Sequence, residues 1–114
     1  MESPGFSCVF ANTDPGGGRV WNLISTASAN FEGPGKLLLR DATGGGNVRM
    51  TFDTAGKVGI GTTAPNARFQ VAGGDAAVSS QGSGLILKAT DGPVCYRVTV
   101  NNAGALSMTS VTCP

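Results

Sequence analysis

The sequence predicts an all-β protein. Short runs alternate apolar and polar side chains with the period of a strand, most cleanly over Val48–Asp53. Glycine, asparagine, aspartate and proline punctuate those runs; glycine alone occurs 18 times in 114 residues, without a collagen period. Long helix-compatible runs are missing, and valine, threonine and phenylalanine lie between the turn signals.

Met1 to Gly5 reads as a terminal arm ending in the Pro4-Gly5 breaker. Phe6 to Ala11 is a strand with Phe6, Cys8 and Phe10 on one face. The loop Asn12 to Gly18 follows, with Asp14-Pro15 and three glycines. A nucleotide-binding glycine loop must lead into a helix N-terminus. Here the chain continues into a strand, Arg19 to Thr26, and no GK[ST] appears, so phosphate binding is not expected. In that strand Arg19, Trp21 and Leu23 share a face opposite Val20, Asn22 and Ile24.

Ser25 to Gly35 is small and polar, with Phe31 as its one large apolar residue, and reads as a surface loop. Lys36 to Asp41 is a strand with Leu37 and Leu39 opposite Leu38 and Arg40. It should pair with Val48–Asp53 as an antiparallel hairpin across Ala42–Asn47. Val48, Met50 and Phe52 are expected to point inward, and Arg49, Thr51 and Asp53 outward. Residues 6–53 so suggest a small sandwich or barrel of jelly-roll-like character.

Thr54–Lys57 turns the chain into Val58-Gly59-Ile60-Gly61, where two bulky and two bare positions alternate. A glycine-only face cannot cover a core, so a backbone must approach it closely. The expected visitor is another copy of the chain. Pro65 ends this stretch, and Arg68 to Ala72 is a further short strand. Gly73 to Gly84 is a polar spacer. Leu85–Ala89, Val94–Val100 and Ala105–Val111 form a C-terminal meander. The expected organisation is an N-terminal strand group (1–53), a linker module (54–73), a spacer (74–84) and the meander (85–114).

Cys8, Cys95 and Cys113 are an odd set. Cys95 and Cys113 flank a hairpin and can pair if the register allows; the alternative is three reduced thiols acting as small hydrophobes. Buried and reduced is the expectation for Cys8. Without histidine or a CxxC spacing, zinc is not expected. Lack of histidine also removes Ser-His-Asp and Cys-His catalysis within one chain. Asp41 and Asp53 can approach across the hairpin, but aspartate at strand ends normally bonds turn backbone. No enzyme activity and no cofactor are expected; a metal would need oxygen ligands repeated about a symmetry axis.

Net charge is +1, with no basic patch to signal nucleic acid and no apolar run of membrane-spanning length. The start MESPGFSCVF lacks the pattern of a secretory leader. Charged residues are 13%, about half the ~25% usual in globular proteins, which suits a surface covered by partner subunits. Trp21 reads first as a core or interface anchor. The rival reading makes Trp21 and Tyr96 glycan contacts of a monomeric carbohydrate-binding module with a jelly-roll sheet.

The run DTAGKVGIGTTAPNARFQVAG resembles the linker module of phage tail fibres and related appendage proteins, and GKLLLRDATGGGNVRMTFD resembles the stretch that precedes it. The resemblance implies an elongated, intertwined β-structured homotrimer with a structural or adhesive role in the virion, made in the host cytoplasm. It does not imply a particular receptor; a host cell-surface glycan, bound weakly at threefold-repeated turns, is the expected partner of such an assembly. Val58, Gly59, Ile60 and Gly61 are the expected trimer-packing residues.

Overall fold

A computed structural model describes residues 5–114, all of whose regular elements are strands. The all-β expectation holds. Met1 to Pro4 of the expected arm lie outside the described residues. The chain divides into two compact units, one running through Asp75 and one spanning Ala76–Pro114.

The first unit is a single six-stranded sheet. Its strands are β1 (Gly5–Ala11), β2 (Val20–Thr26), β3 (Leu37–Asp41), β4 (Asn47–Phe52), β5 (Val58–Ile60) and β6 (Phe69–Val71). They lie side by side in sequence order, antiparallel except for the parallel pair β5–β6. The jelly-roll or sandwich expectation for residues 6–53 is therefore corrected: there is one layer, and it continues through residue 71. Short connections make successive strands neighbours, whereas a Greek key needs a long return connection. For the same reason the expected break between residues 53 and 54 falls inside the sheet, where β4 pairs with β5.

Local chemistry explains the turns. Asp14 accepts the Gly16 N–H at 2.8 Å, and Asp53 accepts the N–H groups of Ala55 and Lys57, each at 2.9 Å. These are aspartate-closed turns, the role expected of Asp53. β3 and β4 form the predicted hairpin with a register shift after Leu39: Leu39 faces Met50, but Arg40 faces Val48. Arg49 is the extra residue of that bulge.

One face of this sheet is covered by its own chain. The cross-strand row Ser7–Ile24–Leu38–Thr51–Gly59–Gln70 lies there, and Leu38 and Thr51 are both 0% exposed. Residues 61–68, which link the parallel strands, pass beneath this face. A Cβ on Gly59 would come within 2.7 Å of the Thr62 carbonyl oxygen and 3.4 Å of the Pro65 Cβ. Lys36 Nζ donates to the Thr63 carbonyl oxygen at 2.6 Å, tying this connection to the β2–β3 loop. Arg40 pairs with Glu32 and holds that loop against the same face.

The expected inward–outward assignment of β4 is reversed at Thr51 and Phe52: Thr51 is fully buried, whereas Phe52 is 40% exposed. Alternation tells which side chains share a face. It does not tell which face the loops cover.

The second unit is the expected meander of β7 (Leu85–Lys88), β8 (Cys95–Val100) and β9 (Leu106–Val111), in that order and antiparallel throughout. Cys95 and Cys113 are joined by a disulfide across 18 positions, and Cys95 is buried.

Candidate functional site

The feature that stands out is the other face of the first sheet. Paired residues in a ladder project to the same side, so the register identifies that face row by row. One row runs Cys8–Leu23–Leu39–Met50–Ile60–Val71 across all six strands. The next runs Phe6–Ser25–Leu37–Phe52–Val58–Phe69. A third begins Phe10–Trp21–Asp41. Apart from Ser25 and Asp41, every one of these side chains is apolar.

No described residue of the first unit covers this face. Phe6, Phe10, Leu23, Leu37, Phe52 and Phe69 are all exposed, and Leu39, Met50, Val58 and Ile60 are half-buried by their neighbours. Among the described residues the buried hydrophobic side chains are Ile24, Leu38 and Cys95, none of them on this face. A sheet of this kind lacks the second layer that a hydrophobic face requires.

Of the residues expected to pack a trimer, Val58 and Ile60 lie on this face and Gly59 does not. Gly59 is buried against Thr62 and Pro65 of its own chain. Gly61 has φ +72°, and the Ala72 carbonyl oxygen occupies the place of its missing Cβ. The close approach inferred from sequence is thus real, but the visitor is the chain itself. A tight crossover between two parallel strands makes this demand on the backbone, and a local sequence pattern cannot say which segment returns.

Asp41 sits where the apolar rows end, against two guanidinium groups. Arg19 Nη1 lies 2.9 Å and Arg49 Nη2 3.4 Å from its Oδ2, and the Thr43 N–H donates to Oδ1 at 3.0 Å. Burial pushes the Asp41 carboxyl up. The Thr43 N–H, the Arg19 charge and the Arg49 and Thr43 side chains outweigh that and hold it below its ordinary value. Asp41 and Asp53 each accept turn N–H groups at a strand end, the role expected of both.

The two aromatic residues weighed as glycan contacts belong to different units. Trp21 lines an open groove with Phe10, Asn12, Gly18 and Arg19, at one margin of the apolar face. Tyr96 belongs to the second unit. There Leu85–Val98–Met108 and Leu87–Tyr96–Ser110 are cross-strand rows on one face, with Val100 and Leu106 beside them. That face is also apolar except for Ser110, and Leu85, Leu106 and Met108 are exposed. The carboxylate beside Trp21 in its row, Asp41, is held by Arg19 and Arg49, and Tyr96 faces Leu87 and Ser110 across its ladder.

No protein-family model matches the chain, and no curated protein matches it.

Cys8 is a free thiol and exposed, which corrects the expectation that it is buried. It stands on the open face between Phe6 and Phe10, so its environment depends on what covers that face. Sequence reasoning also passed over Phe31, treating it as a loop residue. It lines a groove with Glu32, Asn47, Val48, Thr62 and Thr63. The signal was available: Phe31 is a lone aromatic in an otherwise small, polar loop.

Proposed function

We propose that this chain is a non-enzymatic structural and adhesive fragment of a phage-type tail fibre, working in the virion as a homotrimer that contributes to attachment at the host cell surface. The observation that carries the reading is the open apolar face on the Cys8–Val71 and Phe6–Phe69 rows. Such a face in water is unfavourable by about 25 cal/mol for each Å² of apolar surface left uncovered.

Copies of the same chain are the occupant. Apart from Asp41, which Arg19 and Arg49 neutralise, the rows carry no charged side chain. A face without charge fits itself, because juxtaposing it with its copies buries no unpaired ion. Three one-sided sheets close around an axis with their apolar faces inward and their loop-covered faces outward. The threefold number comes from the resemblance of DTAGKVGIGTTAPNARFQVAG to tail-fibre linker modules. Threefold repetition of outward loops turns weak surface contacts into firm attachment.

Light scattering on the intact chain at micromolar concentration tests this. The expected mass is three times 11.4 kDa, falling to a single chain or unfolded material for Phe52→Glu. A wild-type monomer overturns the reading and returns the groove at Trp21 to consideration as a monomeric carbohydrate site.

A further inference from the structure

Assembly through the open face would cover Trp21, whose side chain stands on that face, so a glycan contact in the first unit must lie elsewhere. The loop-covered face offers a second, open groove, lined by Phe31, Glu32, Val48, Thr62 and Thr63. We propose that this groove is a binding site for a neutral carbohydrate, with Phe31 as the stacking platform. The proposal rests on the assembly reading, which leaves this face outward.

The placement follows from the sheet. Arg40 is on the covered face, paired across the ladder with Asn22 and Val48, and it holds Glu32 of the β2–β3 loop. Thr62 lies over Gly59 on the same side. Phe31 is therefore delivered to the groove by a loop fastened at Arg40, and also at Thr26, whose hydroxyl accepts the Lys36 N–H at 2.8 Å.

The chemistry selects the ligand. Phe31 is fully exposed, so its ring meets water on a surface that also carries hydrogen-bonding groups. An aromatic face takes up the C–H face of a pyranose ring, while hydroxyls bond its rim. Thr62 and Thr63 supply hydroxyls there. Glu32 is already neutralised by Arg40, so the groove presents no unpaired charge for an ionic ligand. Its remaining carboxylate lone pairs accept from sugar hydroxyls.

The test is an oligosaccharide array probed with labelled wild-type protein, followed by titration of the best-binding free oligosaccharide. Phe31→Ala removes no packing, because the ring touches water on all sides, and its mass by light scattering should equal that of the wild type. Expected are binding by the wild type, a loss of roughly tenfold or more in affinity for Phe31→Ala, and retention for Phe31→Trp. Absence of array binding by the wild type overturns the proposal, as does a Phe31→Ala variant that binds like the wild type. Loss with Trp21→Ala while Phe31→Ala stays unaffected also overturns it. A monomeric wild type that still requires Phe31 would sink the assembly reading and leave the groove standing.

Discussion

Leu38 and Leu39 are neighbours in β3 with opposite fates: Leu38 is sealed beneath its own chain's loops, and Leu39 stands in the middle of a face that no described residue of its unit covers. The two leucines should respond differently to truncation. Leu38→Ala leaves a cavity inside one chain and should destabilise it by roughly 2–5 kcal/mol at any protein concentration. Leu39→Ala weakens contacts between copies, so its effect should be largest at concentrations where the wild type is assembled and fade on dilution, once both proteins are single chains. Denaturant unfolding at two protein concentrations separates them.

Gly61 and Gly44 have nearly the same backbone, at φ +72° and +68°, but only Gly61 has another part of the chain in the way. Alanine at Gly44 should cost roughly 1–2 kcal/mol, the ordinary penalty of that backbone region. Gly61→Ala must in addition displace the Ala72 carbonyl and with it the β5–β6 pairing. Its loss of stability should clearly exceed that of Gly44→Ala in the same denaturation series.

The Cys95–Cys113 bridge closes a loop of 18 positions in a unit of only three strands. Such a unit is marginal alone in water. Loop-closure entropy assigns the bridge roughly 3 kcal/mol. Reduction should therefore speed amide exchange throughout β7–β9 and leave the amides of β3 and β4 protected. Exchange read by mass spectrometry with and without reductant checks this.

Asp41 gives the fold an acid-sensitive contact. Its carboxyl is held below the ordinary 3.8, so the folded state binds its proton less readily than the unfolded state. The stabilisation is present above that ordinary value and disappears as pH falls through the lower folded value. Asp41→Asn should be less stable than the wild type near neutral pH, and the gap should narrow below about pH 4. Urea unfolding of both proteins at about pH 7 and pH 3 reads the difference.

Much of this was legible in the sequence. Period-two alternation placed the strands, and it correctly grouped Phe6, Cys8 and Phe10, Leu37 and Leu39, and Tyr96 with Val98. Turn chemistry placed Asp53. What alternation left undecided was which face of each strand is covered, because that depends on where residues 27–36 and 61–68 return. Thr51 is buried although polar, since the 61–68 crossover and the β2–β3 loop close over its row. Phe52 is left open although aromatic, since no loop reaches its side. The bulge at Arg49 was equally hidden, because an extra residue in one strand leaves no mark on apolar spacing. The glycines of Val58–Gly61 announced a close approach but could not name the visitor.

Cys8 reports on the open face directly, because it stands there and is the one free thiol left by the Cys95–Cys113 bridge. The measurement is its rate of reaction with a maleimide reagent under native conditions, compared with the same protein in denaturant. Coverage by sister chains predicts strong protection at micromolar concentration, lost on dilution or denaturation. A native thiol that reacts as fast as the denatured one would mean that the face is bare, and would contradict assembly through it.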